Sequence, residues 1–161
     1  AGLVAHDGIE VEDIAAGWIE FANGCRATLA SSTACWSGTG FPAEIRIHGT
    51  TGAAVLRDDK LTAFEFEKPL PADATVIAPA TEGGGAGAND PKAIGHAWHR
   101  ANLEEAVAAI RAGRQPAVNG AEGRKAVELI LALYQSAQAG GTPVDLPLMR
   151  DPELRKLGEK K

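Results

Sequence analysis

The sequence predicts an α+β fold, a mostly antiparallel β-sheet with helices packed on one face, and three observations carry that reading. Strand-forming residues recur in hairpins from about Ile9 to Phe66, two amphipathic helices follow, and the longer helix is apolar over too wide an arc to stand uncovered. An antiparallel sheet commonly buries one face and leaves the other available, so it supplies the surface the helix needs.

The first eight residues carry no periodic pattern and read as a loop. From Ile9, the residues Ile9, Val11 and Asp13 alternate with Glu10, Glu12 and Ile14, and Gly17-Trp18-Ile19-Glu20-Phe21 continues as a strand. Asn23-Gly24 between two apolar runs is a type I′ hairpin signal, and a second strand, Cys25 to Cys35, follows with Ala27, Leu29, Ser31 and Thr33 on one face. Trp36 to Pro42 reads as a loop carrying two large aromatics, Trp36 and Phe41. Ala43 to His48, a turn at Gly49-Thr50-Thr51-Gly52, and Ala53 to Leu56 make a second hairpin. Asp58-Asp59 turns the chain again into Leu61 to Phe66, which Pro69 ends. Leu70 to Asn89 holds Pro71, Pro79 and the run Gly83-Gly84-Gly85, and reads as a long mobile insertion of the kind that forms lids, with a strand expected at Thr75 to Ala78.

Leu103, Val107 and Ile110 fall at i, i+4 and i+7 on a helix from Trp98 to Ala112, which Gly113 caps. The strongest local pattern is Asn119 to Leu146. Asn119 is a good N-cap, and Glu122 stands three residues on, where its side chain can reach back to the cap's own amide. Val127, Ile130, Leu131 and Tyr134 form the apolar stripe, widened by Leu129 and Leu133. Gly140-Gly141 and Pro143 stop the helix. Residues 1–150 thus form one domain, and 151–161 are a charged tail with only Leu154 and Leu157 to bury.

The 161 residues are 45% hydrophobic and 23% charged, which suits one globular domain with a real core. No apolar run reaches the roughly 20 residues of a membrane span. The net charge of -5 and the lack of a basic cluster interleaved with aromatics argue against nucleic acid as a partner. Cys25 and Cys35, about 33 Å apart in a straight strand, are read as free thiols, which favours a reducing, cytoplasmic setting. The first residue is not Met, which fits processing or excision of a domain from a longer chain.

Three segments in this order, VEDIAAGWIEFANG, AEIRIHGTTGAAVL and HRANLEEAVAAIRAGRQPAVNGAEGRKAVELILALYQSAQAGGTPVDL, resemble the C-terminal half of a known family. It is the glucose-fructose oxidoreductase, inositol dehydrogenase and rhizopine catabolism protein family of NAD(P)-dependent dehydrogenases. The resemblance spans about Val11 to Leu146 and implies an open, mostly antiparallel sheet whose bare face serves oligomerisation, as a homodimer or homotetramer. It also implies a partner that precedes the chain, an N-terminal Rossmann domain that binds NAD or NADP and donates a catalytic lysine. The family's aspartate-histidine helix would lie just upstream of Ala1. Two lookalikes fail on context. Glu67-Lys68-Pro69 spells the lysine motif but ends a sheet strand, and Gly83-Gly84-Gly85 with Asn89, Asp90 and His96 is broken by Pro91 and by its spacing. No catalytic, cofactor-binding or metal-binding residue is therefore expected in this chain.

The candidate substrate-binding residues are His96, Trp36, Phe41 and His99. His96 and His99 stand at i and i+3 beside Trp98, where imidazoles bind a metal or hydrogen-bond a sugar hydroxyl, but no carboxylate or Cys stands at a supporting spacing for zinc. Two histidines at a helix entry making ordinary hydrogen bonds are the bland reading of the pair. The resemblance places this helix entry near the cleft facing the nicotinamide, which makes His96 the leading substrate contact and His99 the more structural of the two. Trp36 and Phe41 read as loop anchors or as a platform for the C-H face of a pyranose. Two functions compete. The first is the substrate-binding and oligomerisation domain of an NAD(P)-dependent sugar, inositol or polyol oxidoreductase, inactive without its nucleotide-binding domain. The alternative is a stand-alone, non-catalytic dimerisation or small-ligand-binding module.

Overall fold

The computed structural model describes residues 2–38, 40–58, 60–76 and 95–152. Its strands are β1 (Gly2–Leu3), β2 (Ile14–Glu20), β3 (Arg26–Ser32), β4 (Glu44–His48), β5 (Gly52–Arg57) and β6 (Lys60–Phe66), and its helices are α1 (Asp73–Val76), α2 (Ala97–Arg111) and α3 (Gly120–Gln138). All strand pairs are antiparallel, in two open three-stranded sheets ordered β1-β2-β3 and β4-β5-β6. The fold class is α+β, as the sequence predicts, although the strands divide between two sheets. The chain forms two compact units, one of Ala1–Trp36 with Val118–Lys161 and the other of Ser37–Ala117. The expected lid from residue 77 on, with its glycine run, and the tail from 153 on lie outside the described residues.

In the first unit, β2 starts only at Ile14, and residues 9–13 are not strand. The hairpin turn also differs in type. Gly24 donates to the Phe21 carbonyl at 2.8 Å and Phe21 to the Cys25 carbonyl at 2.9 Å, while of the turn residues only Gly24 has positive φ, at 85°. That is a three-residue loop closed by a left-handed glycine rather than a type I′ turn, because Asn23 keeps negative φ and uses its side chain to accept the Cys25 amide at 3.0 Å. The register sets Ala15, Gly17 and Ile19 opposite Ser31, Leu29 and Ala27. The other face of the same strands carries Trp18, 62% exposed, opposite Thr28.

Helix α3 lies against β2 at Gly17, where a Cβ would fall 2.6 Å from Leu133 Cδ2. Asn119 caps it as expected, its side chain accepting the amides of Ala121 at 3.0 Å and Glu122 at 3.1 Å. Glu122 does not close a capping box; its carboxylate takes Lys125 Nζ at 2.7 and 2.8 Å instead. Gly140 and Gly141 end the helix with both bonds of a Schellman motif, to the carbonyls of Ala137 and Ser136. The most deeply buried α3 residue is Ala132, with Leu129 and Leu133 half-buried beside it. Val127 and Ile130, placed on the buried stripe by periodicity, are 56% and 48% exposed. The close approach at Gly17 draws the 129/132/133 side of the helix to the sheet and turns Val127 and Ile130 away.

In the second unit, Glu44 anchors β4 with Arg46 at 2.5 Å and Arg57 at 4.0 Å. Asp58, with φ of 46°, turns β5 into β6, and its carboxylate accepts the Ala43 amide at 3.0 Å. A register shift at Val55/Leu56 adjusts the β5-β6 pairing, and Phe64 and Phe66 meet edge to face at 4.8 Å. The expected strand at Thr75 is instead a helical turn, because Asp73 caps the Leu70 amide at 2.6 Å and Thr75 donates to the Ala72 carbonyl at 2.7 Å. Ile77 and Ala78 lie outside the described residues. Helix α2 ends in a second Schellman motif at Gly113, after which the chain folds back: Glu105 accepts from Arg114 at 2.7 Å and from the Ala117 amide at 3.2 Å. This return covers the 105/109 side of the helix and accounts for the full burial of Ala109, whereas the expected stripe of Leu103, Val107 and Ile110 remains exposed.

Candidate functional site

His96 is the N-cap of α2, but its side chain makes no capping bond, and its carbonyl accepts the Arg100 amide at 2.9 Å. Both His96 and His99 are exposed, and their spacing puts them on neighbouring positions of the first helical turn. A helix entry presents unpaired amides, which are donors a polar group can use. Phe41 lies in the loop before β4, 64% exposed, and Trp36 closes the first segment of the other unit, 87% exposed. Neither ring is buried as an anchor. Among the described residues, no hydrogen bond or ring contact joins any of these four side chains to another. Nor does any group of three or more His, Cys, Asp or Glu stand where it could hold a metal ion among the described residues.

A polar cluster that periodicity did not single out lies in the first unit. Asp13 is 4% exposed, and its carboxylate accepts the amides of Ala5 at 2.7 Å and His6 at 3.0 Å and the His6 Nδ1 proton at 2.7 Å. The bond from the Ala5 amide, with those from the His6 ring and amide, holds the Asp13 carboxyl below the usual carboxylate range against the opposing cost of burial. The Asp13 carbonyl also receives the Thr33 amide at 2.8 Å and Ser32 Oγ at 3.1 Å, which pins the cluster to the end of β3. Next to it, Tyr134 on α3 donates its hydroxyl to Glu12 Oε1 at 2.7 Å, and that bond to a carboxylate, with burial, raises the phenol pKa. Glu12 Oε2 is buried without a hydrogen-bond partner among the described residues. The one sequence signal for this cluster is a pair of acids, Glu12-Asp13, immediately before an apolar strand. Its partners lie up to 122 positions away, beyond the reach of any local pattern.

The two cysteines are free and exposed. No described helix is long and apolar enough to cross a membrane.

The fold is similar to that of the WlbA dehydrogenase from Bordetella pertussis, whose crystal structure is a complex with NADH and UDP-GlcNAcA. The likeness has a TM-score of 0.66 at 18% identity and covers 89% of this chain but 39% of that one. The chain therefore spans well under half the length of that dehydrogenase. No curated protein sequence matches it. A family model described as "Oxidoreductase family, C-terminal alpha/beta domain" matches residues 4–146, which takes in the Asp13 cluster, strands β2 to β6 and the three described helices. With nearly the whole fold inside that match, the chain belongs to this oxidoreductase family, as its C-terminal α/β domain.

Proposed function

We propose that the chain is the substrate-binding and oligomerisation domain of an NAD(P)-dependent oxidoreductase that acts on a carbinol carbon of a sugar, inositol or related polyol. The observation that carries this reading is the family match over residues 4–146. The fold likeness to a dehydrogenase whose crystal structure holds NADH and UDP-GlcNAcA supports it. A nucleotide-binding domain preceding this one supplies the cofactor site, so this chain alone is inactive. When bound, the nicotinamide takes up or gives the hydride, while this domain binds and orients the hydroxyl-bearing substrate. His96 is the leading substrate contact, with His99, Trp36 and Phe41 as further contacts. The sheet face bearing Trp18 is available to a second copy, in a homodimer or homotetramer. Two exposed free thiols suit a reducing cytoplasm.

The test is a pair of titrations on this chain. In NADH fluorescence, no stoichiometric binding is expected; tight binding overturns the assignment of the nucleotide to another domain. In NMR, myo-inositol or glucose is expected to shift the His96 resonances saturably, and silence at His96 for every polyol tried counts against the substrate reading.

A further inference from the structure

In the second unit, β4 is an edge strand: it pairs with β5 and with no other described strand. The ladder shows which of its backbone groups are already used. The Asp58 amide donates to the Ala43 carbonyl at 2.9 Å and the Gly49 amide to the Gly52 carbonyl at 2.8 Å, and both pairs continue the β4-β5 register. Hydrogen-bonded pairs alternate along an antiparallel ladder, so Ile45 and Ile47, between those two points, also bond toward β5. Glu44, Arg46 and His48 therefore direct their amides and carbonyls to the open edge, a template for another strand. All five residues of β4 are exposed. Ile45 and Ile47 share one face, 59% and 63% exposed, and Glu44 and Arg46 share the other.

Charge on an edge strand usually deters pairing. Among the described edge strands, however, β4 alone carries an acid and a base two residues apart on one face, which makes it complementary to itself when reversed. We propose that β4 pairs antiparallel with β4 of a second copy of this chain about a two-fold axis at Ile45, joining their β4-β5-β6 sheets into one. Two requirements select that register: facing residues must both turn their amides to the open edge, and opposite charges must meet. With Ile45 opposite its own copy, Glu44 faces the partner's Arg46 and Arg46 faces the partner's Glu44, and both pairs exchange backbone hydrogen bonds. An axis at Arg46 keeps the backbone match but sets the two arginines against each other. Among the described residues, Arg46 gives only its Nε to Glu44 of its own strand, which leaves its terminal nitrogens for the partner's carboxylate. On the opposite face the two Ile45 side chains meet at the axis, and Pro42, which has no N–H, ends the pairing on either side. The edge belongs to the second unit and is a different surface from the Trp18 face of the first. Its pairing requires neither substrate nor cofactor.

The test is oxidative cross-linking of the 161-residue chain in a Cys25→Ser, Cys35→Ser background, which removes the two exposed thiols. In the proposed pairing Ile45 and its copy form a non-hydrogen-bonded pair with Cα atoms about 4.5 Å apart, within the span of a disulfide. Ile45→Cys is therefore expected to give a disulfide-linked dimer on a non-reducing gel. Ile47→Cys, no less exposed but roughly 14 Å from its copy along the strands, should stay monomeric. Charge variants then test the register. Added to Ile45→Cys, Glu44→Arg and Arg46→Glu should each lose the cross-link, and mixing the two chains should restore it, because every facing pair is again of opposite sign. Circular dichroism of each variant reports whether the fold persists, and if a charge variant unfolds, the contrast between Ile45→Cys and Ile47→Cys decides. No cross-link at Ile45→Cys, equal cross-linking at both positions, or folded charge variants that cross-link as before would each overturn the paired edge. Those results would leave the proposed role of the Trp18 face standing.

Discussion

Gly17→Ala tests the seat of α3 on β2. Gly17 has no positive φ, so its backbone suits any residue and the only obstacle is contact. A Cβ there would lie 2.6 Å from Leu133 Cδ2, with Cγ at 3.9 Å and Cδ1 at 4.0 Å. The Leu133 methyl must therefore give way by most of an ångström, and a half-buried leucine has some room to do so. Overpacking of this kind costs about 1 to 3 kcal/mol. Replacing glycine offsets about 0.4 to 1 kcal/mol of that by reducing the freedom of the unfolded chain. The net expectation is about 0.5 to 2 kcal/mol of destabilisation, read as a lower urea midpoint at unchanged m-value. Leu133→Ala removes the clashing methyl, so in that background Gly17→Ala should become neutral or stabilising, with a coupling of about 1 kcal/mol across the cycle. Equal costs in both backgrounds would refute the claim that Leu133 sets the closeness of helix and sheet.

Two further outcomes follow from named bonds. Tyr134 is the only tyrosine, so its phenol can be titrated by ultraviolet absorbance without overlap from another. Its midpoint is expected above the ordinary value of about 10 in the folded chain, and nearer to it in Glu12→Gln, which removes the charge facing the hydroxyl. Because the folded pKa is raised, the Tyr134 bond contributes fully below the unfolded value and is lost as pH rises through the folded one, so Tyr134→Phe should be less stable than wild type at neutral pH, with the difference shrinking as pH rises through the folded value. Asn119→Ala removes the acceptor for two amides at the start of α3 and should cost about 0.5 to 2 kcal/mol by urea denaturation, with Asn119→Asp close to wild type.

Local chemistry was legible and long-range contact was not. Asn119 as a cap and Gly113 and Gly140-Gly141 as helix stops are dictated by backbone groups a few residues away, and all three stand where the pattern puts them. The hairpin at Asn23-Gly24 was legible as a turn but not by type, since Asn23 had two ways to serve it, a left-handed backbone or a side-chain bond, and the structure uses the second. The covered helix faces are not legible for a related reason. Periodicity counts apolar residues, but the covered side of α3 is decided by what can approach closest, a glycine on β2, and that of α2 by the chain that folds back through Arg114.

The same distinction explains the histidines. His96 stands out in the sequence because three polar or aromatic residues share one turn, while His6 does not, since its partner lies seven positions away across an irregular segment. Sequence spacing makes neighbours on a helix legible, and chemistry that depends on a buried carboxylate needs the third dimension. Asp13 is read from sequence as one more alternating strand residue, yet the strand begins only after it, and all the hydrogen bonds its carboxylate makes run back into the loop that precedes it. A strand that alternated from Ile9 would have exposed either Asp13 or its apolar neighbours to the wrong side. By starting at Ile14, β2 puts Ala15, Gly17 and Ile19 on the covered face, while Asp13 is free to turn inward and fix His6. The boundary of that strand therefore bears on the Asp13–His6 bond as directly as either of its side chains does.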